Sequence, residues 1–117
     1  MEASLPDGLS ALDDLPVVDL DHLSTFTDGD RALEAELADL FMTTAADYLA
    51  RMEDAVLQAR SWTAEAHALK GAGGNLGARR VAALARDVEF SPPSSAGLAA
   101  LRTAVEEVGR FFADRKR

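Results

Sequence analysis

From Arg31 to about Ala59 the chain has neither glycine nor proline. Within that stretch Leu33, Leu37, Leu40, Phe41, Thr44, Tyr48, Met52 and Val56 recur at steps of three and four. That period belongs to an amphipathic helix, and at 3.6 residues per turn the stretch makes about eight turns. An apolar stripe of that length has to be covered by other elements, and the remaining sequence provides them. Asp19 or Asp21 is placed to cap a short helix through about Thr25, with Leu20, Leu23 and Phe26 as its apolar edge. Asp28-Gly29-Asp30 reads as a turn, with Asp30 as the N-cap of the long helix. Ser61 can cap a segment that ends near Leu76-Gly77, and Glu65 follows in its first turns, where negative charge suits the helix dipole. A further segment runs from about Ala78 to Phe90 with Val81, Leu84 and Val88 at heptad spacing. After the break at Ser91-Pro92-Pro93-Ser94-Ser95, the last helix extends from about Ser95 to Arg115, with Leu98, Leu101, Val105, Val108 and Phe112 as its seam. Four apolar stripes joined by short connections predict an all-α fold, an antiparallel up-down-up-down four-helix bundle with a short additional N-terminal helix over one end.

The 117 residues suit one domain. Residues 1–16, acidic and broken by Pro6, Gly8 and Pro16, are expected to be a flexible arm, and residues 17–117 the bundle. A formal net charge of −8 disfavours nucleic acid and anionic membrane as partners, since both call for basic stripes. The absence of cysteine excludes disulfides, thiolate metal sites and thiol nucleophiles. The N-terminus lacks the basic and apolar regions of a signal peptide, and no apolar run approaches the roughly 18 residues of a membrane helix. The expectation is a cytoplasmic protein, monomeric because one seam faces inward on every helix.

The stretch Glu65 to Ala78, Glu-Ala-His-Ala-Leu-Lys-Gly-Ala-Gly-Gly-Asn-Leu-Gly-Ala, carries the chemistry. Wound as a helix, it sets His67, Lys70, Gly71 and Gly74 on one side and Trp62, Ala66, Leu69, Gly73 and Leu76 on the other. Each helical glycine costs about 1 kcal/mol relative to alanine, a cost explained if the surface has to stay flat for a partner. His67 is then an exposed nucleophile, with Lys70 beside it to meet a phosphoryl group. In an antiparallel hairpin turning at Gly77-Ala78, His67 lies across from Val88 and Glu89. Val88 belongs to the seam, so Glu89 is the residue placed to hold one imidazole nitrogen and leave the other free to attack.

His67-Ala68-Leu69-Lys70-Gly71, followed by Asn75-Leu76-Gly77-Ala78, resembles the signature of histidine-containing phosphotransfer (HPt) domains. The resemblance extends from about Val18 to Ala113 through the acidic turn, Phe41, the signature and Glu89. It implies a histidine phosphotransfer protein of a multistep two-component phosphorelay, carrying a phosphoryl group on His67 between aspartates of response-regulator receiver domains. On that likeness Lys70 is the basic neighbour, Gly71 the small residue that admits the receiver, and Glu89 the Glu or Gln that the family places beside the histidine. Gly73 and Gly74 depart mildly from the Ala and Ser common there. The implied partners are receivers and a histidine kinase or hybrid kinase. No cofactor is expected on this chain, the Mg²⁺ ion being the receiver's. With no Walker loop or kinase signature, autokinase activity is excluded for the chain by itself.

Plainer readings exist for the same residues. A lone histidine on an alanine-rich helix is ordinarily a surface residue, Lys70 an ordinary snorkelling lysine, and Glu89 a solvated partner of Arg86. Gly73, which faces inward, could serve close helix packing. His22, beside Asp19 and Asp21, reads as solvated, with no third ligand for a metal. Asn75 reads as ending its helix, and Trp62, Phe41, Tyr48 and Phe112 as core. Two other functions compete: a helical adaptor that docks receivers or kinases without carrying phosphate, and the phospho-accepting segment of a larger histidine kinase. The Met1 start and the end at Arg117 favour a free-standing protein over the second.

Overall fold

The computed structural model describes residue 12 and residues 14–116. Five α-helices are described, α1 (Leu20–Thr27), α2 (Arg31–Gln58), α3 (Thr63–Leu76), α4 (Arg79–Val88) and α5 (Ser95–Arg115), and no strand occurs among the described residues. Their ends follow from local chemistry. Asp19 caps α1 by accepting from the His22 amide at 3.1 Å, and Asp30 caps α2 by accepting from Leu33 at 3.0 Å. Ser94 does the same for α5 through the Gly97 amide at 3.0 Å. The expected Ser61 cap is displaced by one position: Trp62 occupies the N-cap of α3 with no capping side chain, and the Ser61 hydroxyl instead accepts from the Thr63 amide at 3.2 Å. Helix α3 stops at Gly77, whose φ of 86° is a left-handed conformation that glycine tolerates.

Each of α2 to α5 packs on the next in sequence, and α5 returns to pack on α2, closing a ring of four; α1 leans on α2 and α3. This is the up-down-up-down four-helix bundle with a short extra N-terminal helix. Trp62, Leu23, Met52, Leu69, Leu101, Val81 and Val108 are its largest fully enclosed side chains, each stabilising the fold by about 1.5–3 kcal/mol. Two ion pairs tie its ends. Arg115 at the end of α5 grips the buried Glu34 of α2 at 2.8 and 3.1 Å. Arg79 on α4 holds Asp19, the cap of α1, at 2.9 Å.

The long helix does not turn the expected face inward. Ala38, Phe41, Ala45, Leu49, Met52 and Ala55 are buried, whereas Leu33, Leu37, Thr44, Tyr48 and Val56 are half-buried and Leu40 is exposed. Three alanines share the inward face with Phe41, Leu49 and Met52, and the bulky Leu37 and Leu40 are left on a neighbouring strip. Tyr48 is accordingly not core, and the Arg51 guanidinium lies 5.5 Å from its ring centroid. Phe26, expected on the inner edge of α1, is exposed as well. On α4 the buried positions are Val81 and Ala85, with Leu84 and Val88 only half covered. Most of the expected N-terminal arm lies outside the described residues; of its last part, Leu12 is buried and the Leu15 carbonyl accepts from Arg80 at 2.8 Å. No helix among the described residues is long and apolar enough to cross a membrane.

Candidate functional site

Helix α3 is pinned from below. Trp62, Ala66, Leu69, Gly73 and Leu76 are all buried, and that fixes which side of the helix faces out. Gly73 has the packing role open to it: a Cβ there would meet Val81 Cγ1 and the Ala82 amide of α4, both at 3.2 Å. Gly71 and Gly74 differ, since a Cβ on either would have nothing within 4 Å. Nothing inside the protein needs those two to be glycine.

On the outward side His67 has a side chain 67% exposed, one turn before Lys70. Across the α3–α4 hairpin, Glu89 is 6% exposed and points its carboxylate between them. Its Oε2 lies 3.1 Å from His67 Nδ1 and its Oε1 2.9 Å from Lys70 Nζ. Arg86, the alternative partner, lies instead 3.9 Å from Asp87. The Lys70 ammonium, by hydrogen bonding, and secondarily the His67 ring hold the Glu89 carboxyl below its usual range, against the opposing effect of burial. An ionised carboxylate accepts, so it selects the tautomer with the proton on Nδ1 and leaves the Nε2 lone pair free. No described residue hydrogen-bonds Nε2. An exposed imidazole oriented in this way by a buried acid, with an ammonium one turn away, is arranged for nucleophilic attack on an electrophile that also carries negative charge.

Beyond Gly71, along α3, an apolar groove of about 460 Å³ opens between α1, α2 and α3. Phe26, Leu37, Leu40 and Phe41 form one wall; Ala72, Asn75 and Leu76 form the other. The strip of α2 that failed to enter the core lines this groove. Helix α1 is held at its end by the turn after α3: the Asp19 amide donates to the Gly77 carbonyl at 2.7 Å, and His22 Nε2 lies 3.2 Å from the Asn75 carbonyl oxygen. His22 is therefore not simply solvated; it fastens α1 to the C-terminus of α3. Only the position of α1 on that turn reveals this bond, and no spacing in the sequence signals it. The His22 amide and the Arg79 guanidinium together hold the Asp19 carboxyl below its usual range. No group of three or more His, Cys, Asp or Glu side chains among the described residues could hold a metal ion.

His67, Lys70 and Glu89 are thus brought together, with Gly71 and Gly74 bare on the same side. The family model described as the Hpt domain matches residues 36–111, a span that takes in α2 from Glu36, all of α3 and α4, and most of α5. The chain belongs to the Hpt domain family. Hpt domains are helical phosphocarriers rather than kinases; they serve histidine phosphotransfer in phosphorelays and interact with response-regulator receivers and kinases of two-component systems. No curated protein and no solved structure gives a significant match to this chain.

Proposed function

We propose that this Hpt domain carries the phosphoryl group on Nε2 of His67, taking it from an aspartate of one receiver domain and passing it to an aspartate of another. The observation that carries the reading is the division of labour on one ring: Nδ1 is committed to a buried carboxylate at 3.1 Å, and Nε2 has no hydrogen-bond partner among the described residues, on a side chain 67% exposed. In the forward step the Nε2 lone pair attacks phosphorus, the bond to the aspartate oxygen breaks, and the carboxylate leaves with the electron pair. The Nδ1 proton stays on the ring, where Glu89 stabilises the cationic character that the ring gains. Lys70, already 2.9 Å from Glu89, supplies positive charge beside the incoming phosphoryl oxygens. The Mg²⁺ ion is assigned to the receiver, and this chain contributes no ligand to it.

The receiver has to sit close to α3, and bare backbone at Gly71 and Gly74 supports that approach. The apolar groove beside it supplies a surface for an apolar helix of the partner. Incubation with a phosphorylated receiver is expected to place an acid-labile, base-stable label on His67. His67→Gln is expected to abolish the label and keep the helical content, because the ring is exposed. A folded protein that takes no phosphate from any receiver would be an adaptor instead.

A further inference from the structure

The chain has five phenylalanines, one tryptophan and one tyrosine, and only two of these rings are exposed, Phe26 and Phe90. Phe26 belongs to the groove at the C-terminal end of α3. Phe90, 83% exposed and the barest large apolar side chain among the described residues, follows Glu89 directly at the end of α4. From that observation, and resting on the reading of His67 above, we infer that Phe90 is a second docking anchor for the receiver, on the opposite flank of His67 from the groove.

Position is the first support. Glu89 reaches His67 Nδ1 at 3.1 Å, and adjacent Cα atoms are about 3.8 Å apart, so the Phe90 backbone lies within about 12 Å of the imidazole. A specific interface covers about 800 Å² on each partner, a disc of about 16 Å radius. A footprint of that size centred on Nε2 therefore reaches as far as Phe90. Presentation is the second support. The backbone just before Phe90 is held by the Trp62 indole, which donates to the Val88 carbonyl at 2.9 Å, and by the Ser91 amide, which donates to the same oxygen at 3.0 Å. Pro92 and Pro93 follow and restrict the chain further. The ring is thus held out on a fixed support, so little ordering is needed when it docks. Arg86 and Asp87, exposed on the preceding turn, provide charged surroundings of the kind that ring an aromatic anchor. The receiver that fits carries apolar surface on both sides of its aspartate.

The test uses the full chain, with wild type, Phe90→Ala, Phe90→Leu and, as a control, Leu57→Ala, since Leu57 is 78% exposed at the end of α2. Each is first phosphorylated with phosphoramidate, which needs no docking, and then presented with increasing amounts of whichever receiver domain wild type serves fastest. Phe90→Ala is expected to label normally, melt normally and raise the half-saturating receiver concentration about tenfold. The maximal rate should stay within about twofold, with Phe90→Leu intermediate and Leu57→Ala like wild type. Direct titration of receiver onto His67→Gln with and without Phe90→Ala should give the same weakening in the absence of chemistry. Unchanged half-saturation in Phe90→Ala, or an equal shift in Leu57→Ala, overturns the anchor and leaves His67 standing. A wild type that takes label on His67 neither from phosphoramidate nor from any phosphorylated receiver overturns the phosphocarrier reading, and the anchor falls with it.

Discussion

Glu89 is nearly enclosed, yet it stays ionised because Lys70 and His67 face its two oxygens. Its folded pKa lies below the ordinary 4.5. The stability it contributes is therefore complete above that value and is lost as pH falls through the lower folded one. Asp19 behaves alike from an ordinary 3.8. Denaturant titrations between pH 7 and pH 3 should show wild type losing stability along this acid limb, and Glu89→Gln losing less. The same variant can still accept from Nδ1 through its amide oxygen but leaves the Lys70 ammonium without its ion pair, so transfer should slow while acceptance persists. At Gly71 the expectation concerns access: Gly71→Gln should block exchange with receivers without lowering the melting temperature, because a Cβ there meets nothing in the protein itself.

At the scale of the helix, Gly71 and Gly74 oppose the stability of α3. Replacing either with alanine should stabilise the protein by about 0.5–1 kcal/mol, read from denaturant midpoints. Gly73→Ala should not, with Val81 and Ala82 at 3.2 Å. Ala59 ends α2 with a φ of 53°, a left-handed conformation uncommon for a residue with a side chain. Ala59→Gly should therefore gain up to about 1 kcal/mol in the same measurement. Helix existence and most helix ends were legible in the residues, because Asp19, Asp30, Gly77 and the Pro92-Pro93 break state them locally. The His67–Glu89 meeting was legible too, since a tight turn at Gly77 sets the hairpin register. The inward face of α2 was not. Bulky residues at positions 33, 37 and 40 suggest one stripe, whereas packing put alanines inside and left Leu37 and Leu40 for the groove with Phe26. The fastening of α1 by His22 was equally hidden, because its acceptor is a main-chain carbonyl that any residue at position 75 would offer.

Across the whole molecule, the ring of helices closes where α5 meets α2, and Arg115 with Glu34 marks that closure. Removing the guanidinium leaves a carboxylate that is 8% exposed without its best partner. Arg115→Ala should cost about 2 kcal/mol, discounted from fully buried pairs because Arg115 keeps 25% of its own exposure. Its effect on phosphotransfer should be small, since the pair belongs to the start of α2 and the end of α5, away from His67 on α3.

The enclosed indole of Trp62 sits at the root of α3, and its hydrogen bond goes to the carbonyl one residue ahead of Glu89. As the one tryptophan in the chain, it makes ultraviolet emission a built-in gauge of that junction. Emission stays blue while the ledge beneath the imidazole is shut, and it moves to the red when water enters there, whether acid, a substitution or a bound receiver has loosened it.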